Sequence, residues 1–431
     1  MSINHKPDQA VPVYEVEQSL KTSLWSKEWL IVYSLCLVGL LNYLDRTMLS
    51  TMRSSIVEKI PMSNAQFGLL TTVFLLSYGI CSPIGGFLAD RFQRSRVIIF
   101  SLCIWSVVTW LTSYVTDFSI LLLTRAVMGI SEACYLPAAL ALITDYHGNK
   151  TRSLAVGIHM TGIIAGQSLG FVGGWLAEMH TWNYAFYLFG IVGIGYALIL
   201  AFFLKDKPVS KEESSSHRNE EKKIDFFQVM STLMTNLNFT LLLGFWCLLG
   251  IVGWLIMGWL PTYYQERFHV SQGIAGLYAT GYLYPFSMVG VVVGGLLADR
   301  WNQSNKRARI LIPAIGLLIA IPGVLLAVNT QYIEIAILGF MMYAFTKVFS
   351  DANLMPILCT IIDEKYRATA YGILNLFACV VGGIGIYAGG MLRDAQISMD
   401  YIFLFASFVM LLCLVPLALI YFRNKTEKLA G

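Results

Sequence analysis

"GGFLADR" runs from Gly85 to Arg91, and "GGLLADR" runs from Gly294 to Arg300. Six of the seven positions agree, at an offset of 209 residues. Each copy closes an apolar run and is followed by basic residues, Arg94 and Arg96 in the first case, Lys306 and Arg307 in the second. A second echo lies further along. Arg152 precedes Gly157 by five residues, and Arg367 precedes Gly372 by five. Two echoes in register with the apolar runs imply a duplicated unit, one copy in each half of the chain.

The apolar runs define what is duplicated. The 431 residues are 56% hydrophobic and 13% charged, with a mean hydropathy of +0.64, which leaves too little polar surface for a soluble domain. Twelve apolar stretches recur, from 30–50 to 400–422, each long enough to cross about 30 Å of hydrocarbon as a helix. They are continuous rather than alternating, so helices are expected and not barrel strands. The polar stretch "KDKPVSKEESSSHRNEEKK" (Lys205 to Lys223) separates six runs from six. The expected fold is an all-α membrane protein with twelve transmembrane helices in two pseudo-symmetric six-helix bundles. The bundles are 1–204 and 238–431, joined by a mobile cytoplasmic linker over 205–237. No cleavable signal is expected, because the first apolar run begins only near Leu30.

Loop charge predicts orientation. With the N-terminus placed in the cytoplasm, 23 Lys and Arg fall on that side and four on the other, namely Arg53, Lys59, Arg267 and Arg393. Both termini are therefore expected to be cytoplasmic. The same bias accounts for the net charge of +4 without a nucleic-acid surface. All eight cysteines lie in apolar runs without a CxxC spacing, and read as small packing residues. No Walker loop, paired-histidine metal motif or Gly–x–Ser–x–Gly elbow is present. Neither an enzyme nor an ATP-driven pump is expected, and no metal or cofactor.

Three basic residues remain inside the runs: Arg46, Arg125 and Lys347. "LVGLLNYLDRTMLS" (Leu37 to Ser50) sets Asp45 beside Arg46, and "LLLTRAVMGISEACYLPAAL" in the fourth run carries Arg125 and Glu132. A charge at the bilayer centre costs at least a few kcal/mol and marks a functional site by default. Neighbouring helix positions point about 100° apart, so Asp45 and Arg46 each need partners elsewhere. Arg125 and Glu132 share a helix face but lie roughly 10 Å apart along the axis. The economical arrangement places Arg46, Arg125, Asp45 and Glu132 around one aqueous cavity. An arginine fork binds a carboxylate bidentately, and a partly desolvated carboxyl exchanges its proton near neutral pH. Protonation of the acid would then free the arginine for an anionic substrate.

Other polar residues at membrane depth are candidates for the same cavity. Lys347 and Asp351 stand i,i+4 in the tenth run and can pair with each other. If Pro137 is aligned with Pro356, Asp351 falls opposite Glu132 in the other half. Lys347 is expected either as a substrate-side cation or as the structural partner of Asp351. His159, Asn375, Tyr43, Tyr78, Tyr135, Trp254 and Tyr282 are further candidates for the cavity wall. Asp90 and Asp299 stand where the second and eighth runs reach the cytoplasm. A carboxylate there can accept from the first amides of a neighbouring helix and pair with arginine. Asp90, Arg91, Arg94, Asp299 and Arg300 are therefore expected to form a latch that holds the halves together in one state.

The Gly–x–x–x–Asp–Arg loop after runs 2 and 8 resembles the signature loop of the major facilitator superfamily, and the 6 + 6 organisation extends the resemblance over the full chain. The second copy departs from it, because "WNQSNKR" is longer and less basic near its start. The sugar-porter signature is absent after the sixth run, where the chain reads "FFLKDKPVS". The Asp–Arg pair with a glutamate in the fourth run is similar to the anion:cation symporter family, which carries hexuronates, hexonates and related sugar acids with protons. "NYLDR" and "GISEACY" also resemble the spinster-type lipid transporters. The resemblance implies proton carriers at Asp45 and Glu132, an anion ligand at Arg46, a balancing charge at Arg125, and a polar substrate contact at Gln167. The expected function is proton-coupled import of a small organic anion by a monomer in a bacterial inner membrane, by rocking of the halves about a central site. A lipid exporter, a neutral-sugar or drug transporter, and a non-transporting sensor are the competing readings. Three buried cations and Gln167 favour a compact polar substrate.

Overall fold

The computed structural model describes residues 26–148, 151–206, 226–363 and 366–426. Among them, twelve helices are long and apolar enough to cross a membrane. They are α1 (Lys27–Thr51), α2 (Asn64–Ala89), α3 (Arg94–Thr112), α4 (Phe118–Tyr146), α5 (Arg152–Met179) and α6 (Trp182–Phe203) in the first half. The second half holds α7 (Leu237–Phe268), α8 (Gln272–Asn302), α9 (Ala308–Asn329), α10 (Ile333–Ile361), α11 (Arg367–Asp394) and α12 (Met399–Arg423). Most of the expected linker lies outside the described residues; its last part, Phe226–Thr235, is a short helix leading into α7.

Helices form here because hydrocarbon offers no partner to a free backbone amide or carbonyl, so each must be satisfied within its own segment. Polar residues sit at the ends. Ser63 and Gln66 make a capping box at the start of α2, and the Asp117 side chain accepts from two amides at the start of α4. Phe100, Leu123, Phe202 and Leu296 stand exposed on the outside, as a lipid-facing surface requires.

Four helices are interrupted. α4 breaks between Phe118–Glu132 and Tyr135–Tyr146, and α5 between Arg152–Ser168 and Phe171–Met179. α8 contains a π-helical turn over Leu277–Tyr282. α10 breaks at Val348, between Ile333–Lys347 and Phe349–Ile361. Glu132 and Lys347 each close the first segment of their helix, and their separation of 215 equals that between Arg152 and Arg367. The structural counterpart of Glu132 is thus Lys347, not Asp351. The proline alignment misled because Pro137 follows its break by one turn while Pro356 sits deep in the second segment.

The halves meet along α2–α11 and α5–α8. The Thr72 hydroxyl donates to the Gly383 carbonyl (2.7 Å) and that of Thr280 to the Ser168 carbonyl (3.1 Å). Close approach needs glycine here: a Cβ at Gly68 would stand 2.9 Å from the Ile386 carbonyl oxygen.

Contacts between halves concentrate at the face opposite the duplicated loops. Asp394, ending α11, accepts from the Asn64 amide (2.8 Å), the Ala65 amide (2.9 Å) and Asn64 Nδ2 (2.9 Å) at the start of α2. Glu178, near the end of α5, accepts from the Gly273 amide (2.9 Å) and the Ser271 hydroxyl (3.1 Å) at the start of α8. The two clasps are related by the repeat: in both, the fifth helix of one half caps the second helix of the other. Between them, Ser54 donates to Gln265 (2.5 Å), and Gln272 bonds the Ser55 amide (3.0 Å) and the Gly174 carbonyl (3.2 Å). Losing a capping carboxylate costs about 1 kcal/mol. Glu178→Ala with Asp394→Ala is therefore expected to favour opening of this face by roughly thirtyfold. Thiol labelling of Ser50→Cys from that side would rise; unchanged labelling would mean that the clasps do not hold the face shut.

At the duplicated loops, part of the expected latch lies outside the described residues. The Asp90 side chain lies outside the described residues. Arg94 donates to Asp145 of its own half, and the Arg91 guanidinium sits 5.9 Å from the ring of Phe87. Asp299 is exposed and lies 3.4 Å from Arg309 of the adjacent helix in its own half; Arg300 is exposed. The partners of Arg94, Arg91 and Asp299 that the structure describes lie within their own halves.

Candidate functional site

A central cavity of about 630 Å³ lies between the halves. Its lining runs from Arg46, Tyr78 and Lys347 at mid-depth to Leu140, Val291 and Ala368 toward the duplicated-loop face. The interrupted helices α4, α5, α8 and α10 all contribute to it, as expected of a site built where irregular backbone borders a cavity.

Arg46 is the charged centre of the first-half wall. Its Nε donates to Glu132 Oε2 at 2.6 Å, and the two side chains are only 6% and 0% exposed. Its Cζ lies 4.4 Å from the ring centres of both Tyr43 and Tyr78 and 5.1 Å from that of Phe74. The three rings hold the guanidinium by their faces and leave Glu132 as its carboxylate partner. Tyr43, Tyr78 and Gln167 line the cavity with it. Across the cavity stand Lys347 and Asp351, with Nζ 3.0 and 3.2 Å from the carboxylate oxygens. Asn375, Tyr284, Tyr343 and Trp254 complete that wall.

The expected four-charge ring is not what forms. Asp45 is buried, faces α3, and accepts from Thr109 Oγ1, while its Oδ1 has no hydrogen-bond partner among the described residues. The reason is the 100° step from Arg46: one side chain turns to the cavity and the other turns away from it. Arg125 does not line the main cavity. It is 1% exposed, donates to Met128 Sδ at 3.3 Å, and lies 5.0 Å from the ring of Phe74. It borders a small pocket of about 10 Å³ shared with Arg46 and Trp254, two turns of α4 away from Glu132. His159 is also outside the cavity, fully buried and 5.9 Å from the ring of Tyr135. Tyr135 is itself buried, with its hydroxyl on the Leu35 carbonyl (2.8 Å), and Tyr282 is not part of the lining. Thr109 and Phe74 were not foreseen, because an uncharged residue in an apolar run carries no signal of its own. Tyr284, Tyr343 and Tyr371 were hidden among 22 tyrosines.

A family model described as Major Facilitator Superfamily matches residues 35–386 and 307–430. The chain belongs to the Major Facilitator Superfamily. This facilitator is 28% identical to "Protein spinster" of Drosophila melanogaster over 406 residues, covering 91% of this chain and 66% of that protein, slightly under two thirds of its length. It is 26% identical to "Probable sulfoacetate transporter SauU" of Cupriavidus necator over 393 residues, covering 87% of this chain and 89% of that one. Among solved structures, a bacterial homolog of the human lysosomal transporter Spinster, inward-facing and unoccupied, superposes with a TM-score of 0.73 at 22% identity, covering 92% and 96% of the two chains. A D-xylose-proton symporter superposes with a TM-score of 0.72 at 15% identity, covering 92% and 97%. At such identities the two structures establish a shared fold. This facilitator is thus a multi-pass membrane protein of a transporter family.

Proposed function

We propose that this facilitator imports a small organic anion, a sugar acid or a similarly compact acid, together with protons. Arg46 carries the reading. It is a guanidinium in the wall of a membrane-depth cavity, and its partner there is a carboxylate that can be protonated. In the empty protein Glu132 neutralises it. When Glu132 takes a proton, that attraction falls, and a substrate carboxylate can accept the arginine's donors instead. Loss of the proton restores the Arg46–Glu132 pair and expels the anion. Asp45 is the second proton carrier in this scheme, Arg125 balances the buried acids, and Tyr43, Tyr78, Gln167 and Asn375 contact the substrate. The sulfoacetate transporter among its relatives supports an acidic substrate, and the xylose–proton symporter supports proton coupling on this fold. Placement in a bacterial inner membrane as a monomer, with both termini cytoplasmic, belongs to the same proposal. So does a latch role for Asp90 and Asp299 in the opposite state. Asp90→Ala is then expected to favour the arrangement seen here, read as raised thiol labelling at the duplicated-loop ends of α5 and α11; unchanged labelling and transport would remove the role.

A second reading has its own support. Leu136, Leu140, Trp246 and Leu249 line the cavity alongside the charged residues, and the spinster proteins are relatives. A lysolipid could place its acidic head at Arg46 and its chain along that wall. PH-jump uptake by proteoliposomes of sugar acids, neutral sugars and lysolipids separates the readings. Gradient-driven accumulation of a sugar acid supports the first; movement of lysolipid alone supports the second.

A further inference from the structure

Lys347 is not used by the reading above, yet it lines the same cavity as Arg46, from the other half. An i,i+4 ion pair is usually a surface feature of small effect. Here the pair with Asp351 faces a cavity at membrane depth, where an ionisable group is costly and marks function. The surroundings leave room for it: a Cβ at Gly253 would stand 3.8 Å from Lys347 Nζ. The next residue, Trp254, borders both the main cavity and the small pocket beside Arg46. Arg46 and Lys347 therefore flank one turn of α7. Each is matched by one carboxylate of its own half, Glu132 and Asp351. Each pair also includes the residue that closes the first segment of the broken helix, Glu132 in α4 and Lys347 in α10.

We infer that Lys347 is the second anion ligand, and that the substrate is a small dianion with an acidic group at each end of a short polar body. One end lies on Arg46 and the other on Lys347. The inference rests on the role of Arg46 proposed above and adds a second pole to it. Charge balances at each stage. In the empty cavity two cations face two carboxylates; with the dianion bound and Glu132 and Asp351 protonated, the same two cations face the two charges of the substrate. Gln167, Asn375, Tyr284 and Tyr343 lie on the same lining and suit the polar body. A ligand that touches both halves draws them together, whereas a monoanion engages only one. Alternating access uses the first kind of contact.

The test is binding of glucarate, gluconate and glucose to the full-length protein at one acidic pH. These share six carbons and carry two, one and no carboxylates. The wild type is expected to favour glucarate over gluconate by about tenfold, the scale of one charged hydrogen bond. Lys347→Gln brings that ratio close to one, and Lys347→Arg retains it, which separates the ligand role from a folding defect. Asp351→Asn removes the competing carboxylate and strengthens glucarate binding near neutral pH. Equal binding of glucarate and gluconate by the wild type, or an unchanged ratio in Lys347→Gln, would overturn the inference. Either result leaves the Arg46 reading standing while glucose still binds weakly; glucose binding as tightly as both acids defeats that reading itself.

Discussion

Glu132→Gln is expected to abolish accumulation of the substrate under a proton gradient while sparing counterflow exchange. Glu132 is fully buried, and its Oε2 holds Arg46 Nε at 2.6 Å. Glutamine keeps the volume and an acceptor but carries neither the charge nor the proton. Arg46 is then available to an anion at every pH, so binding and exchange continue without the proton that Glu132 carries. One pH unit across the membrane stores about 1.4 kcal/mol per proton, enough for about tenfold accumulation with one proton per substrate; the variant should lose that gain. Asp45→Asn is the companion test. Asp45 accepts from Thr109, and among the described residues no cation lies within ion-pair reach of it, so its contribution is separable from that of Glu132. If both variants accumulate substrate as the wild type does, the two acids are structural.

Arg46→Lys is expected to weaken binding of a sugar acid by ten- to a hundredfold, about 1.5–3 kcal/mol, the scale of a charged hydrogen bond. Lysine keeps the charge but loses the planar fork that presents parallel donors to a carboxylate. It also loses the flat face that rests on Tyr43, Phe74 and Tyr78. Binding of a neutral aldose, or of a lysolipid held mainly by its chain, should fall far less. Equilibrium binding to the purified variant is the measurement, and a loss shared equally by the acid and the neutral sugar would assign Arg46 to packing.

The fold was legible because its signals are one-dimensional. The two heptapeptides, the twelve apolar runs and the charge asymmetry of the loops are all visible along the chain, and the twelve helices follow them closely. The site was legible only as far as charge marks it. Asp45, Arg46, Arg125, Glu132 and Lys347 are conspicuous in apolar surroundings, but which of them meet depends on azimuth and on relative helix depth, neither of which a single sequence carries. Hence Arg46 and Glu132 pair across α1 and α4, while Arg125 ends on Phe74 and His159 between packed helices. The closed face was the least legible. Glu178 and Asp394 stand just past the ends of apolar runs with nothing in the sequence to mark them, and their spacing of 216 is close to the repeat offset. Their partners are backbone amides at the starts of α2 and α8, which no side-chain pattern announces.

The central claim is that Arg46 selects an anion, and the most direct measurement is the affinity of the wild-type protein for gluconate and for glucose at one acidic pH. The account predicts that gluconate binds at least about tenfold more tightly, since it alone offers a carboxylate to the guanidinium. Equal affinity for the two would contradict it and leave a neutral sugar or a lipid as the substrate.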